Sequence, residues 1–182
     1  MTWPWILLIA LLVGLFGLYL SMTAGRLDRL HQRIDTSALG LDALLLRRSA
    51  VALELATSGL MDPASAIVVA EAAHGARTAG ETDDLARASA ESALTQALVI
   101  ALEEAEELAL IRETGSGTDL LAELDAACRR VELGRRFHND AVRACRAVRR
   151  QFLVRALRLA GHAPWPQTWE MDDTVPVGLV ER

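Results

Sequence analysis

The chain opens with an uninterrupted apolar stretch and then changes rhythm. From Trp3 to Met22 no residue is charged, and at about 1.5 Å per helical residue this length approaches the roughly 30 Å of a bilayer's hydrocarbon core. Behind it Leu27, Leu30, Ile34, Leu41, Leu44, Leu45, Val51 and Leu55 recur in steps of three and four, the spacing of one face of an amphipathic helix. With no proline between Ala24 and Ser58, the spacing predicts a long helix that continues out of the apolar stretch to a stop at Gly59.

Asp62-Pro63 supplies an N-cap followed by a residue preset for the first turn, so a second helix is expected from there to about Ala79. Gly80-Glu81-Thr82-Asp83 marks a turn. A third helix carries Leu85, Leu94, Leu98, Leu102 and Leu108 up to a break at Gly115-Ser116-Gly117-Thr118. A fourth, from Thr118 to about Ala160, carries Leu121, Leu124, Val131, Val142, Val148, Phe152 and Leu159 and closes at Gly161. No strand-period segment of useful length interrupts these. The expected architecture is therefore all-α: a single N-terminal transmembrane helix (1–23), an antiparallel bundle of three long helices and one shorter one (24–161), and a tail (162–182) that three prolines keep from being helical throughout.

A cleaved leader would have a positive start, a shorter apolar core and small residues before the cut. Here basic residues are absent before Arg26, and Met22 fills a position where a small residue is wanted, so permanent anchoring is the expectation. Arg26, Arg29 and Arg33 crowd directly behind the span, and positive residues remain inside. The reading is a single-pass protein of the cell membrane, its N-terminus outside and its C-terminal domain in the cytoplasm. Trp3 and Trp5 suit the outer interface. Within the span Ala10, Gly14, Gly17 and Ser21 form a stripe of small side chains where a second copy or another membrane helix can approach closely, although such residues are also common in membrane helices generally.

Composition sharpens the picture of the core. Hydrophobic residues make up 52% and aromatics 4%, so the helices pack through Ala, Leu and Val. All 19 basic residues are Arg, and the formal charge is −5, which argues against a globally basic nucleic-acid binder. The charges are segregated. From Asp83 to Asp125 there are eleven acids against two Arg, and from Arg129 to Arg158 ten Arg against two acids. Two antiparallel helices of opposite sign would pair along their shared edge. The rival reading is that the Arg-rich last helix contacts anionic lipid or an acidic partner.

Chemistry is sparse. His31, His74, His138 and His162 stand on separate segments without metal-ligand spacing to one another or to Cys. Cys128 and Cys145 lie seventeen residues apart on one expected helix, about 25 Å, too far for a mutual disulfide. Glu103, Glu104, Glu106 and Glu107 carry no accompanying Glu-x-x-His pair of the kind a bundle metal site uses, and read as a solvated face. Ser116 sits in a turn without a nucleophile elbow. No catalytic residue, cofactor or metal is expected. The densest polar cluster is Arg135, Arg136, His138, Asn139 and Asp140, which can fix the register of neighbouring helices or meet a partner. Trp165 and Trp169 in the tail can fold back over the bundle or offer aromatic anchors to another protein.

Three stretches resemble the LemA family of one-span membrane proteins with a cytoplasmic helical bundle. Arg26-Leu27-Asp28-Arg29-Leu30-His31-Gln32-Arg33-Ile34-Asp35 leading to Leu44-Leu45-Leu46-Arg47-Arg48 is similar to its first long helix with paired basic residues. Glu91 to Leu98 is the second stretch. Gly134-Arg135-Arg136-Phe137-His138-Asn139-Asp140-Ala141-Val142 resembles the Arg-Arg-Tyr-Tyr-Asn-Asp-Ala-Val run of its last helix. The chain departs from the family where Ser49-Ala50-Val51 follows the basic pair in place of Pro-Asn, and where Trp165-Pro166 stands in place of a Phe-rich ending. The resemblance implies a bundle with its N-terminus outside, and it supplies no catalytic residues. Together these readings predict a non-enzymatic, membrane-anchored scaffold or adaptor with a protein partner, the alternative being an envelope component that contacts anionic lipid.

Overall fold

The structure, a computed structural model, describes residues 3–79 and 84–180. The Gly80-Glu81-Thr82-Asp83 turn lies outside the described residues. Helices account for most of the rest: α1 (Trp3–Thr57), α2 (Pro63–Thr78), α3 (Asp84–Ala101), α4 (Ala105–Arg112), α5 (Gly115–Arg149), α6 (Phe152–Ala156) and α7 (Val177–Val180). The fold is all-α, with no strand among the described residues.

The 55 residues of α1 make a rod of about 80 Å. Its first part, from Trp3 through Tyr19, is exposed along its whole length, and this is the one helix among the described residues apolar and long enough to cross a membrane. It ends as the sequence predicts, with Gly59 in the left-handed region at φ 76°, where a side chain would be strained. Asp62 then caps α2, its carboxylate accepting from the amides of Ala64 and Ser65 at 3.0 and 2.9 Å, with Pro63 in the first turn.

The chain forms two compact units. The larger comprises Ala38–His138 with the tail from Trp169 onward. Val51, Leu55, Val69, Leu94, Leu98, Leu102, Leu108, Ile111, Leu121 and Leu124 fill its main core, and Leu41, Leu45 and Val131 form a second cluster with Trp169 and Met171 packed against it. Within this unit α1 and α5 run antiparallel. Gly134 faces Leu41 and Leu44, so closely that a Cβ there would sit 2.7 Å from a Leu44 methyl, while Val51 and Leu55 share the core of Leu121 and Leu124. The smaller unit, which we call the anchor unit, combines α1 up to Ser37 with Asn139–Thr168. Leu27, Cys145, Val148 and Val154 are its core, flanked by Leu30, Ile34 and Leu159.

Three expected boundaries move. The single third helix is broken between α3 and α4, where Glu103 and Glu104 are exposed, and Glu106 and Glu107 occupy the first turn of α4, where carboxylates favour the positive end of the helix dipole. The break expected at Gly115-Ser116-Gly117-Thr118 falls just before it, at Glu113-Thr114, and those four residues begin α5. Gly117 is pressed so close that a Cβ would lie 2.0 Å from the Ile111 carbonyl oxygen, so its missing side chain permits a tight α4–α5 corner. The fourth helix stops at Arg149 rather than Ala160, and neither proline nor glycine marks the stop. Gly161 does adopt a left-handed φ of 58°, but in a turn beyond α6.

Candidate functional site

The most deeply buried ion pair among the described residues belongs to none of the expected polar clusters. Arg48 of α1 is 2% exposed, as is Glu91 of α3. One Arg48 nitrogen donates to Glu91 Oε2 at 2.6 Å and to the Glu91 carbonyl at 3.1 Å, and the other to Thr95 Oγ1 at 2.9 Å. Thr95 Oγ1 lies 2.8 Å from the Asp172 carbonyl, and the Asp172 amide donates to Ser92 Oγ at 3.0 Å. The network therefore ties α1, α3 and the tail together. Burial pushes the Glu91 carboxyl above its ordinary value, with Arg48 opposing that shift. The register of both residues carried a signal: Leu41, Leu45, Arg48, Ala52 and Leu55 follow one helical stripe, as do Ala88, Glu91, Leu94 and Leu98, so each charge stands where the apolar repeat calls for a core residue.

The expected polar cluster is divided by its surroundings. Arg135 makes a two-pronged pair with Asp173 of the tail, at 2.8 and 2.9 Å, and lies 3.9 Å from Glu170. His138 and Asn139 are buried. Arg136 is exposed and pairs with Glu132 on its own helix at 2.5 Å, and Asp140 pairs likewise with Arg143. Phe137, beside them, is 52% exposed. The two tryptophans also part company. Trp169 packs on the Leu41 cluster with the Arg87 guanidinium 5.2 Å above its ring. Trp165 belongs to the anchor unit, where Arg149 stacks on it at 5.2 Å. The tail folds back as a strap rather than projecting freely. Leu179 enters the main core, the Gly178 carbonyl accepts from Arg112 at 2.8 Å, and in the anchor unit Arg146 and Arg149 donate to the carbonyls of Pro166, Pro164 and Ala163.

The charge segregation works differently from the expected edge-to-edge pairing of acidic and basic helices. Arginines of α5 pair within their own helix, as Arg129 does with Asp125, or with the tail. Acids of the earlier run are met from α1, Glu91 by Arg48 and Glu123 by Arg47. The reason is reach: tail carbonyls and carboxylates lie directly against the arginines of α5.

In the apolar stretch of α1, Gly14 and Gly17 have open space where a Cβ would project, and Ala10 and Ser21 are exposed. Both cysteines are buried free thiols. Burial pushes Cys128 up to about 11 and raises Cys145 as well. His31 is half-buried, with its Nε2 lacking a hydrogen-bond partner, and His74 and His162 are exposed. One Glu-x-x-His spacing does occur, at Glu71 and His74 of α2, both exposed. No group of three or more His, Cys, Asp or Glu converges on a metal-sized site among the described residues. Comparison with protein-family models, with curated proteins and with solved structures found no match to this chain.

Proposed function

We propose that this chain is a non-enzymatic, membrane-tethered scaffold that holds a helical bundle at the cytoplasmic face of the cell membrane for a protein partner. One observation carries the reading: α1 passes from an exposed, charge-free stretch into the packed cores of the chain without a break. A bilayer removes such a stretch from water, and the arginines directly after it favour the cytoplasmic orientation. The LemA resemblance belongs to the same proposal. Its three stretches supply Arg48, then Glu91 and Thr95, then Arg135, the residues that hold α1, α3, α5 and the tail together.

The partner surface proposed is the outer face of α5 at Leu133, Arg136 and Phe137. Leu133 and Phe137, one turn apart, are each 52% exposed, and an exposed apolar pair beside a charged side chain is the composition of an interaction surface. Replacing Phe137 with a photoreactive phenylalanine analogue in cells tests this. A discrete adduct that disappears with Leu133→Glu supports the reading. The absence of any adduct from correctly inserted protein, or turnover of a substrate by the purified chain, counts against it.

A further inference from the structure

The anchor unit has a charge and shape that its internal packing does not consume. Its side chains carry nine Arg against three Asp, a net +6, whereas the larger unit carries ten Arg against twenty-one acids, a net −11. Net positive charge is thus found in the unit that contains the apolar stretch. After Arg149 the chain turns into α6, and Val154 of that short helix is buried in one cluster with Leu27, five residues or about 7 Å of helix beyond Met22. Packing reaches further back, since Thr23 is itself buried. The α6 segment therefore lies beside the point where α1 leaves the apolar stretch. Around buried Val154 the neighbouring side chains face outward: Phe152 is 80% exposed and Leu157 45%. Arg150, Arg155 and Arg158 are exposed as well and make no ion pair among the described residues.

The turn after α6 adds an independent observation. The Leu159 amide donates to the Val154 carbonyl and the Arg158 amide to the Arg155 carbonyl, at 3.0 and 3.2 Å, while Leu159 packs against the cluster of Val154. This is the Schellman arrangement, which places its next residue in the left-handed region and is served best by glycine. The residue there is Arg158, at φ 50°. A strained arginine where glycine fits better is a mark of a side chain held for a purpose.

We infer that the α6 segment is an interfacial docking collar for anionic phospholipid headgroups. Phe152 and Leu157 enter the headgroup layer next to the exit of α1, and Arg150, Arg155 and Arg158, with the exposed Arg26 of α1, hold the negative charges. The inference rests on the reading of α1 as a membrane span.

Full-length chain carrying Phe152→Cys, labelled with a polarity-sensitive fluorophore, tests it in nanodiscs of phosphatidylcholine with or without phosphatidylglycerol. Both native thiols are buried, so the introduced thiol takes the label. The expected result is a blue shift in the anionic discs alone, lost near 1 M salt, where the screening length falls to about 3 Å, and lost in Arg150→Gln/Arg155→Gln/Arg158→Gln with unchanged circular dichroism. Water-like emission in both lipids, from protein that resists alkaline extraction, overturns the collar and leaves the anchor standing. An equal shift in both lipids overturns the role of the arginines. Release of the chain by alkali removes the anchor reading and the collar with it.

Discussion

Arg48 and Glu91 set the stakes at the scale of single residues. A buried ion pair tolerates joint replacement by apolar side chains far better than loss of one partner, because a lone buried charge retains its desolvation cost. Arg48→Met should therefore destabilise the detergent-solubilised chain by about 3–5 kcal/mol, and Glu91→Leu added to it should restore most of that, both measured by urea unfolding. The raised Glu91 carboxyl gives a sign for pH dependence. Ionisation is opposed more in the fold than in the unfolded chain, so this group's contribution is full below the ordinary value of 4.5 and falls as pH climbs from there toward the raised folded value. The wild-type chain should gain stability relative to Glu91→Gln as pH is lowered toward 4.5. The opposite slope would mean that Arg48's attraction outweighs burial. At Arg158, glycine should relieve a left-handed strain of about 1 kcal/mol, so Arg158→Gly should raise the thermal midpoint even as it removes a charge from the collar.

The tail is the informative case at the scale of elements. Prolines and tryptophans predict an irregular segment, yet nothing in their spacing states what it lies against. The structure answers with Arg135 gripping Asp173, Thr95 and Ser92 meeting the Asp172 backbone, and Leu179 in the main core. Gly178 sits so tightly that a Cβ would lie 2.3 Å from both the Leu102 carbonyl oxygen and a Leu108 methyl. Gly178→Ala should cost about 1–3 kcal/mol through overpacking, and limited proteolysis should then cut between Trp169 and Val180 several-fold faster. The long helices were legible from periodicity, including the stop at Gly59 and the start at Asp62-Pro63. The break after Arg149 was not, because the turn there is held by tertiary contacts: Val154 in the Leu27 cluster and Arg149 on the carbonyls of Ala163 and Pro164.

For the molecule as a whole, the exposed apolar start and the division of charge act together. An arginine in mid-span costs about 2.5–3.5 kcal/mol of insertion free energy. Leu12→Arg should therefore move the chain from the alkali-resistant membrane pellet toward the soluble fraction, as fractionation followed by immunoblotting will show.

Periodicity and hydropathy alone determined that this is an all-α chain with one apolar stretch of membrane-spanning length, because helix formation and bilayer burial are read from local spacing and local composition. Tertiary structure alone decided which charges are buried, which arginines the tail occupies and which remain exposed behind the apolar stretch. Those outcomes depend on which side chains residues distant in sequence bring within hydrogen-bonding reach, and no local pattern encodes that distance.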